Sequence, residues 1–223
     1  MTIQPDAIIR SGRRTLAITI DPFGRLIVRA PYSCSQERIF DFLREKKSWI
    51  LRKKSETMGA GIELPPENLD GYTFLLLGKH CLIRLTEEKS IRFCKGHTID
   101  ELFLPKQNAR AKLVRWLKEN ARRIFASVTE EKAHEMGVAY ASASVSSAKS
   151  RWGSCSSEDK IRYTFRLLYA PREAIEYVVV HELAHVKHKN HSAAFWETVE
   201  RYVPDWKKRR KWLKTHRLLM EIF

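Results

Sequence analysis

The alternation of apolar and polar residues changes along the chain, and each change predicts a different element. Residues 14–30 hold two alternating stretches around a Pro-Phe-Gly turn signal, which is typical of a β-hairpin. From Ser35 to about Met58 the apolar residues recur at helical spacing, and Gly59 and Gly61 follow as helix breakers. Four short apolar runs then predict strands: 74–77, 81–85, 91–94 and 99–104.

The pattern changes again after Pro105, which is the predicted domain boundary. Apolar residues at helical spacing continue to about Glu135, and two alternating segments follow at 138–147 and 161–167 around the polar loop 149–160. Three further helices are predicted: 171–189, 192–202 and 204–217. These elements predict an α+β protein, with a β-rich N-terminal domain (1–105) that contains one helix and a second domain (106–223) that contains a small sheet.

The apolar stretch from Val178 to Val186 contains the motif HExxH, formed by His181, Glu182 and His185. Four residues turn a helix by about 400°, so the two histidines lie about 40° apart on one face and about 6 Å apart along the axis. Their imidazoles can bind one metal ion, and zinc suits such ligands. Glu182 lies about 60° around the helix from His185, where its carboxylate can act as a general base towards a metal-activated water.

A catalytic zinc needs a third protein ligand, and the residues after the motif supply the candidates. His188 lies about 7.5 Å along the axis from the midpoint of the other two histidines, which is too far for a zinc–nitrogen bond of about 2.0 Å. His191 can reach the metal if the helix ends nearby, which Asn190 and Ser192 favour as helix-ending and capping residues. A carboxylate on the next helix is the alternative: Glu197 or Glu200.

The chain resembles the YgjP-like metallopeptidases, which are relatives of the SprT-like zinc peptidases, over most of its length. The segments that carry the resemblance are Ser150–Ser156 (SRWGSCS), Tyr177–His185 (YVVVHELAH), Asn190–Ser192 (NHS), Phe195–Trp196 (FW), Pro204–Trp206 (PDW), Val28–Pro31 (VRAP) and Lys47–Ile50 (KSWI). The resemblance implies a compact zincin-like catalytic domain that binds one zinc ion through His181, His185 and His191. It also implies that Glu182 is the general base and that the substrate is a peptide or protein.

Other features of the reaction remain open in the sequence. Candidates for stabilising the oxyanion are chosen only because they lie near the motif in sequence: Arg151, Tyr163, His188 and Tyr202. The segment 161–167 is a candidate edge strand to which an extended peptide could add, provided that it is not paired on both sides. Two other functions compete with a peptidase: a nucleic-acid-associated module with a structural zinc closed by a fourth ligand such as Cys155, and a zinc hydrolase of a non-peptide amide.

The net charge of +15 favours polyanionic partners. Segments 106–123 and 204–217 each hold seven basic residues against one acidic residue, so nucleic acid is a candidate partner through these two predicted helices. The four cysteines have no zinc-ribbon or redox spacing, and neither a signal peptide nor a membrane-spanning run is recognisable. We therefore expect a cytoplasmic protein without membrane contact. The sequence sets no oligomeric state.

Overall fold

The computed structural model describes residues 3–21, 23–58 and 62–223. The chain forms two compact units. The N-terminal unit consists of Met1–Glu63 with Thr215–Leu218, and the C-terminal unit consists of Leu64–Lys214 with Leu219–Phe223. The mixture of helices and small sheets confirms the predicted α+β class.

A three-stranded sheet forms the N-terminal unit together with two helices. The predicted hairpin is present as the antiparallel strands β2 (Ala17–Ile20) and β3 (Leu26–Pro31), although Pro22 of its turn lies outside the described residues. The carboxylate of Asp21 accepts backbone hydrogen bonds from Phe23 and Arg25 in that turn. An unpredicted strand, β1 (Ala7–Ser11), pairs in parallel with β3, which becomes the central strand.

The helix predicted from Ser35 to Met58 is divided into two, so the expectation of one N-terminal helix is wrong. Helix α1 (Gln36–Glu45) begins after Ser35, whose hydroxyl accepts a hydrogen bond from the backbone N–H of Arg38. The backbone leaves helical geometry at Lys46, and α2 spans Lys47–Met58. The side chains that share the core of this unit are Leu26, Val28, Ala30, Ile39, Leu43 and Ile50. The two glycines predicted to end the helix lie outside the described residues.

The C-terminal unit begins with a four-stranded sheet that confirms the four predicted strands. Its strands are β4 (Thr73–Leu76), β5 (Lys79–Thr86), β6 (Arg92–Cys94) and β7 (Asp100–Pro105), in the order β4-β5-β7-β6. The turn after β4 joins the sheet to later parts of the unit, because the N–H groups of Leu77 and Gly78 donate to the carbonyls of Leu168 and Tyr169. Residues 64–105 therefore make their tertiary contacts mainly within the C-terminal unit. The boundary at 105, as a division between domains, stays a prediction.

A long helix and a small sheet follow. Helix α3 (Ala109–Met136) and the strands β8 (Ser142–Ser146) and β10 (Lys160–Thr164) confirm the predicted elements. The predicted polar loop contains one more strand, β9 (Gly153–Cys155), and the strand order is β8-β10-β9. β10 is thus paired on both sides, so the hypothesis that segment 161–167 is an exposed edge is wrong. Residues Phe165–Tyr169 form a short 3-10 helix instead of continuing the strand.

Three helices complete the C-terminal unit, as predicted. They are α4 (Arg172–Lys187), α5 (Ala193–Tyr202) and α6 (Trp206–Thr215). Helix α4 is buried at residues before and within the motif, including Val179, Val180 and Leu183, which are fully covered. Gly78 allows the β4–β5 turn to pack against the start of α4, because a Cβ at this position would lie 2.8 Å from Cβ of Pro171. None of the described helices combines the length and apolar character that crossing a bilayer requires.

Candidate metal centre

Three histidine side chains meet at the end of α4. Their candidate ligand atoms all lie within 4.8 Å of one another: His181, His185 and His191. His181 and His185 stand one helical turn apart, whereas His191 lies in the connection between α4 and α5. The Nε2 atoms of His181 and His191 face each other at 3.2 Å. Because two ring nitrogens can share a hydrogen bond only if one is protonated, a cation between the three rings would satisfy their lone pairs better.

The connection between α4 and α5 brings His191 back towards the helix. Helix α4 ends after Lys187, where His188 adopts an extended conformation, and α5 begins after Ser192. The side-chain oxygen of Asn190 accepts a hydrogen bond from the backbone N–H of Ser192 at 3.3 Å. The helix therefore ends close to Asn190 and Ser192, as these residues predict. The change in chain direction brings the side chain of His191 next to those of His181 and His185.

The tautomer of His185 is set by the same connection. Its Nδ1 lies 3.0 Å from the backbone carbonyl oxygen of His188, an acceptor that places the proton on Nδ1. Nε2 of His185 is then left with its lone pair. A ligand histidine that donates its other N–H to a backbone carbonyl is a common arrangement around zinc, because it fixes the orientation of the ring.

Aromatic side chains pack against the three imidazoles. The ring of Phe195, which is fully buried, lies 4.9 Å from His181, 4.5 Å from His185 and 4.8 Å from His191 between ring centroids. Trp196 stacks on His191, and Trp206 of α6 stacks on Trp196 at 4.3 Å. Phe195 and Trp196 of α5 thus fix the orientation of the histidine rings, and Trp206 of α6 packs against Trp196.

Burial favours the neutral form of His181 and His185, which is the form that binds metal. Desolvation lowers the pKa of His181 to about 3, with additional repulsion from His185 and His191. Nδ1 of His181 is buried and has no hydrogen-bond partner among the described residues, which also disfavours the charged ring. Desolvation also lowers the pKa of His185, although its contact with the His188 carbonyl opposes this shift.

Glu182 is buried beside the histidines, with 5% of its surface exposed. Desolvation raises its pKa to about 8, and the positive charge of Arg151 opposes this shift. The side chain packs against the backbone of β9: a Cβ built on Gly153 would lie 2.6 Å from Oε1 of Glu182 and 2.8 Å from its Cγ. Any side chain at position 153 would therefore displace the carboxylate.

The four residues open into one cleft, which we call the metal cleft. Its volume is about 470 Å³, and β9 with the turn after it forms the wall opposite α4. The residues that line it are Gly153, Ser154, Cys155, Ser156, Ser157, His181, Glu182, His185, Lys189 and His191. The residues of this wall were not predicted from spacing, unlike the histidines and Glu182. They lie far from α4 in the sequence, and the pairing of the small sheet brings β9 to the helix.

Comparison with known families places the chain in one of them. A sequence model described as YgjP-like, metallopeptidase domain, matches residues 14–216. The chain belongs to the YgjP-like metallopeptidase family. Comparisons with curated proteins and with solved structures gave no match.

Membership of the YgjP-like family implies a metal ion and a peptide or protein substrate. Among the described residues the cluster with metal-binding geometry is the histidine triad. His188 is not in it, because its Nε2 lies 3.1 Å from the hydroxyl of Thr198. Neither of the carboxylates predicted as alternative ligands, Glu197 and Glu200, joins the triad, and both are exposed on α5.

All four oxyanion candidates lie outside the described lining of the metal cleft: Arg151, Tyr163, His188 and Tyr202. Tyr163 is fully buried in β10, and its hydroxyl accepts a hydrogen bond from Thr129 at 3.2 Å. Tyr202 is half-buried at the last residue of α5. Arg151 is exposed, just before β9, and its charge acts on Glu182. Of the four candidates, Arg151 is the one whose side chain is exposed.

Proposed function

We propose that this YgjP-like protein is a zinc-dependent peptidase that hydrolyses peptide bonds with water as the nucleophile. The observation that carries the proposal is the convergence of His181, His185 and His191 next to the buried carboxylate of Glu182 in one open cleft. Three imidazole nitrogen ligands and an adjacent base are the parts that a catalytic zinc site requires.

The donor set fits one zinc ion. Imidazole nitrogen is a preferred ligand of zinc, and catalytic sites use three protein ligands, whereas structural sites are closed by four. Cys155 lines the metal cleft without joining the triad, so no fourth protein ligand is supplied by the described residues. This argues for a catalytic rather than a structural role. Zinc bound to the triad would supply Lewis acidity, which acidifies water and polarises a carbonyl group.

Glu182 has the environment of a general base. A group that takes up and returns a proton near neutral pH works best when its pKa is close to that pH, and in the metal-free protein burial raises the pKa of Glu182 towards that range. We propose that its carboxylate accepts a proton from the attacking water and passes it to the leaving amine. Gly153 keeps the carboxylate in the metal cleft, because β9 then lies directly against it.

The edge of the small sheet at the metal cleft suits an extended substrate. β9 is an edge strand in the order β8-β10-β9, and all three of its residues line the metal cleft. Extended peptides commonly bind by adding a strand to such an edge. We therefore propose that the substrate lies along the edge strand β9, at Gly153–Cys155, with its scissile bond near the triad.

The test is cleavage of a mixture of unfolded proteins by the zinc-loaded protein, with the products identified by mass spectrometry. Glu182→Gln is the matched variant, because it preserves the size of the side chain and the three histidines. We expect cleavage by the wild type, no cleavage by the variant, and one equivalent of zinc in both. Equal cleavage by the two proteins would exclude Glu182 as the base, and absence of cleavage by the wild type would contradict the peptidase.

A further inference from the structure

A second concavity lies along α3 in the C-terminal unit, and we call it the basic groove. Its volume is about 900 Å³. Its charged lining consists of five basic side chains and one acidic side chain: Lys106, Arg110, Arg115, Lys118, Arg122 and Glu67. The metal cleft shares no lining residue with it.

Three of the basic side chains form a row on one face of α3. Arg115, Lys118 and Arg122 are three and four residues apart, so they follow one another over about 10.5 Å of helix. Across the described parts of the chain, no carboxylate forms an ion pair with any of these three. Lys106 differs, because its ammonium group lies 2.6 Å from Glu87. The row is thus a set of positive charges without internal compensation.

We propose that the basic groove binds a nucleic-acid strand through its phosphates, independently of sequence. Nucleic acid carries one charge per about 3.4 Å of each strand, and affinity comes from basic side chains that neutralise successive phosphates. A row of cations spaced by about 4.5 and 6 Å along α3 matches such a partner. The described lining has no aromatic side chain on which bases could stack. The contacts would therefore recognise the charge of the phosphates and not the base sequence.

An acidic peptide is the competing ligand, and the structure disfavours it. Extended peptides gain affinity from main-chain hydrogen bonds to a free strand edge. The strand that reaches the basic groove is β5, through Leu85. At this residue β5 pairs with β7, and the N–H of Leu85 donates a hydrogen bond to the side-chain carboxylate of Asp70 at 2.8 Å. The remaining lining comes from α3 and from the segments 67–69 and 106–108, none of which is a strand. The groove therefore presents charge without a peptide-binding edge.

The experiment measures binding of a fluorescein-labelled 20-nucleotide DNA, single-stranded and duplex, to the full chain by anisotropy at 50 to 200 mM salt. Arg115→Gln with Arg122→Gln removes two exposed charges from the row. Lys112→Gln with Arg123→Gln removes two charges from the same helix outside the described lining of the basic groove. We expect about tenfold weaker binding for the first pair, with a salt slope smaller by about 2, and less than about twofold change for the control.

Equal losses in the two double variants would overturn the proposal, because net charge alone would then explain binding. So would an absence of binding by the wild type, or displacement of the DNA by polyglutamate of equal charge more readily than by unlabelled DNA. Displacement of the labelled DNA by inorganic polyphosphate at a much lower phosphate concentration than by unlabelled DNA would assign the basic groove to free phosphate chains and would also overturn it. Peptide cleavage should be the same in all variants, which separates this test from the proposed peptidase.

Discussion

The metal cleft and the basic groove lie in the same unit but hold their polar groups in different ways. In the metal cleft, Glu182 is buried between α4 and β9, and the histidine rings are fixed by Phe195 and by a backbone carbonyl. In the basic groove, Arg115 and Arg122 are exposed on one helix face. Catalysis requires each reacting group to be held in one precise position, whereas phosphate binding requires only a positive charge close to the phosphate. Single substitutions should therefore have large effects in the metal cleft and small ones in the basic groove.

The largest effect is expected from Glu182→Gln. Loss of a general base lowers the rate by about 1,000-fold or more, and DNA binding should remain within about twofold of the wild type, because the basic groove shares no lining residue with the metal cleft. Steady-state cleavage of an identified peptide measures the first quantity and anisotropy the second. A parallel loss of DNA binding would show that the two sites are coupled.

The stability of the metal-free protein should depend on pH through Glu182. Its folded pKa of about 8 lies above the usual 4.5, so the folded state favours the protonated form, and stability is lost as pH rises between these values. Glu182→Gln has no such titrating group. Its free energy of unfolding, relative to that of the wild type, should therefore increase by about 3 kcal/mol between pH 5 and pH 8. Urea unfolding of both proteins without metal measures the difference, in which the contribution of His181 cancels. A constant difference would mean that Glu182 ionises normally.

His191→Ala should weaken zinc binding by about 100-fold or more, because it removes a proposed ligand, and loss of even an outer partner of a ligand costs up to about 100-fold. His188→Ala is the control: it keeps the backbone carbonyl that contacts His185 and removes only the contact with Thr198. Competition with a zinc chelator should show about tenfold weakening at most for this control. If His188→Ala proved the more damaging of the two, the assignment of the third ligand would be reversed.

Gly153→Ala should lower the turnover rate by about tenfold and leave zinc affinity unchanged. The added methyl group displaces Oε1 of Glu182, from which it would lie 2.6 Å, while the triad is untouched. Ser154→Ala, on the next residue of β9, is the control for damage to the strand. An unchanged turnover rate in Gly153→Ala would show that Glu182 does not need its contact with β9.

The sequence predicted much of the fold because helices and hairpins depend on neighbours in the chain. The helical spacing around His181 and His185 and the alternation in β2 and β3 are examples. Parallel pairing of β1 with β3 was missed, because the partners are about 20 residues apart and β1 does not alternate. The division at Lys46 was missed for a related reason, since the apolar spacing continues across it.

The sequence by itself determined that two histidines and a glutamate share one helix, and that α3 and α6 are strongly basic. The first fact follows from the fixed geometry of a helix and the second from the charged residues in each segment, and neither needs knowledge of the rest of the chain. Only the tertiary structure decided that His191 returns to the other histidines, that Gly153 lies against Glu182, and that β10 is a central strand. These depend on the packing of β9 and α5 against α4, and such contacts between distant segments leave no periodic signal in the sequence.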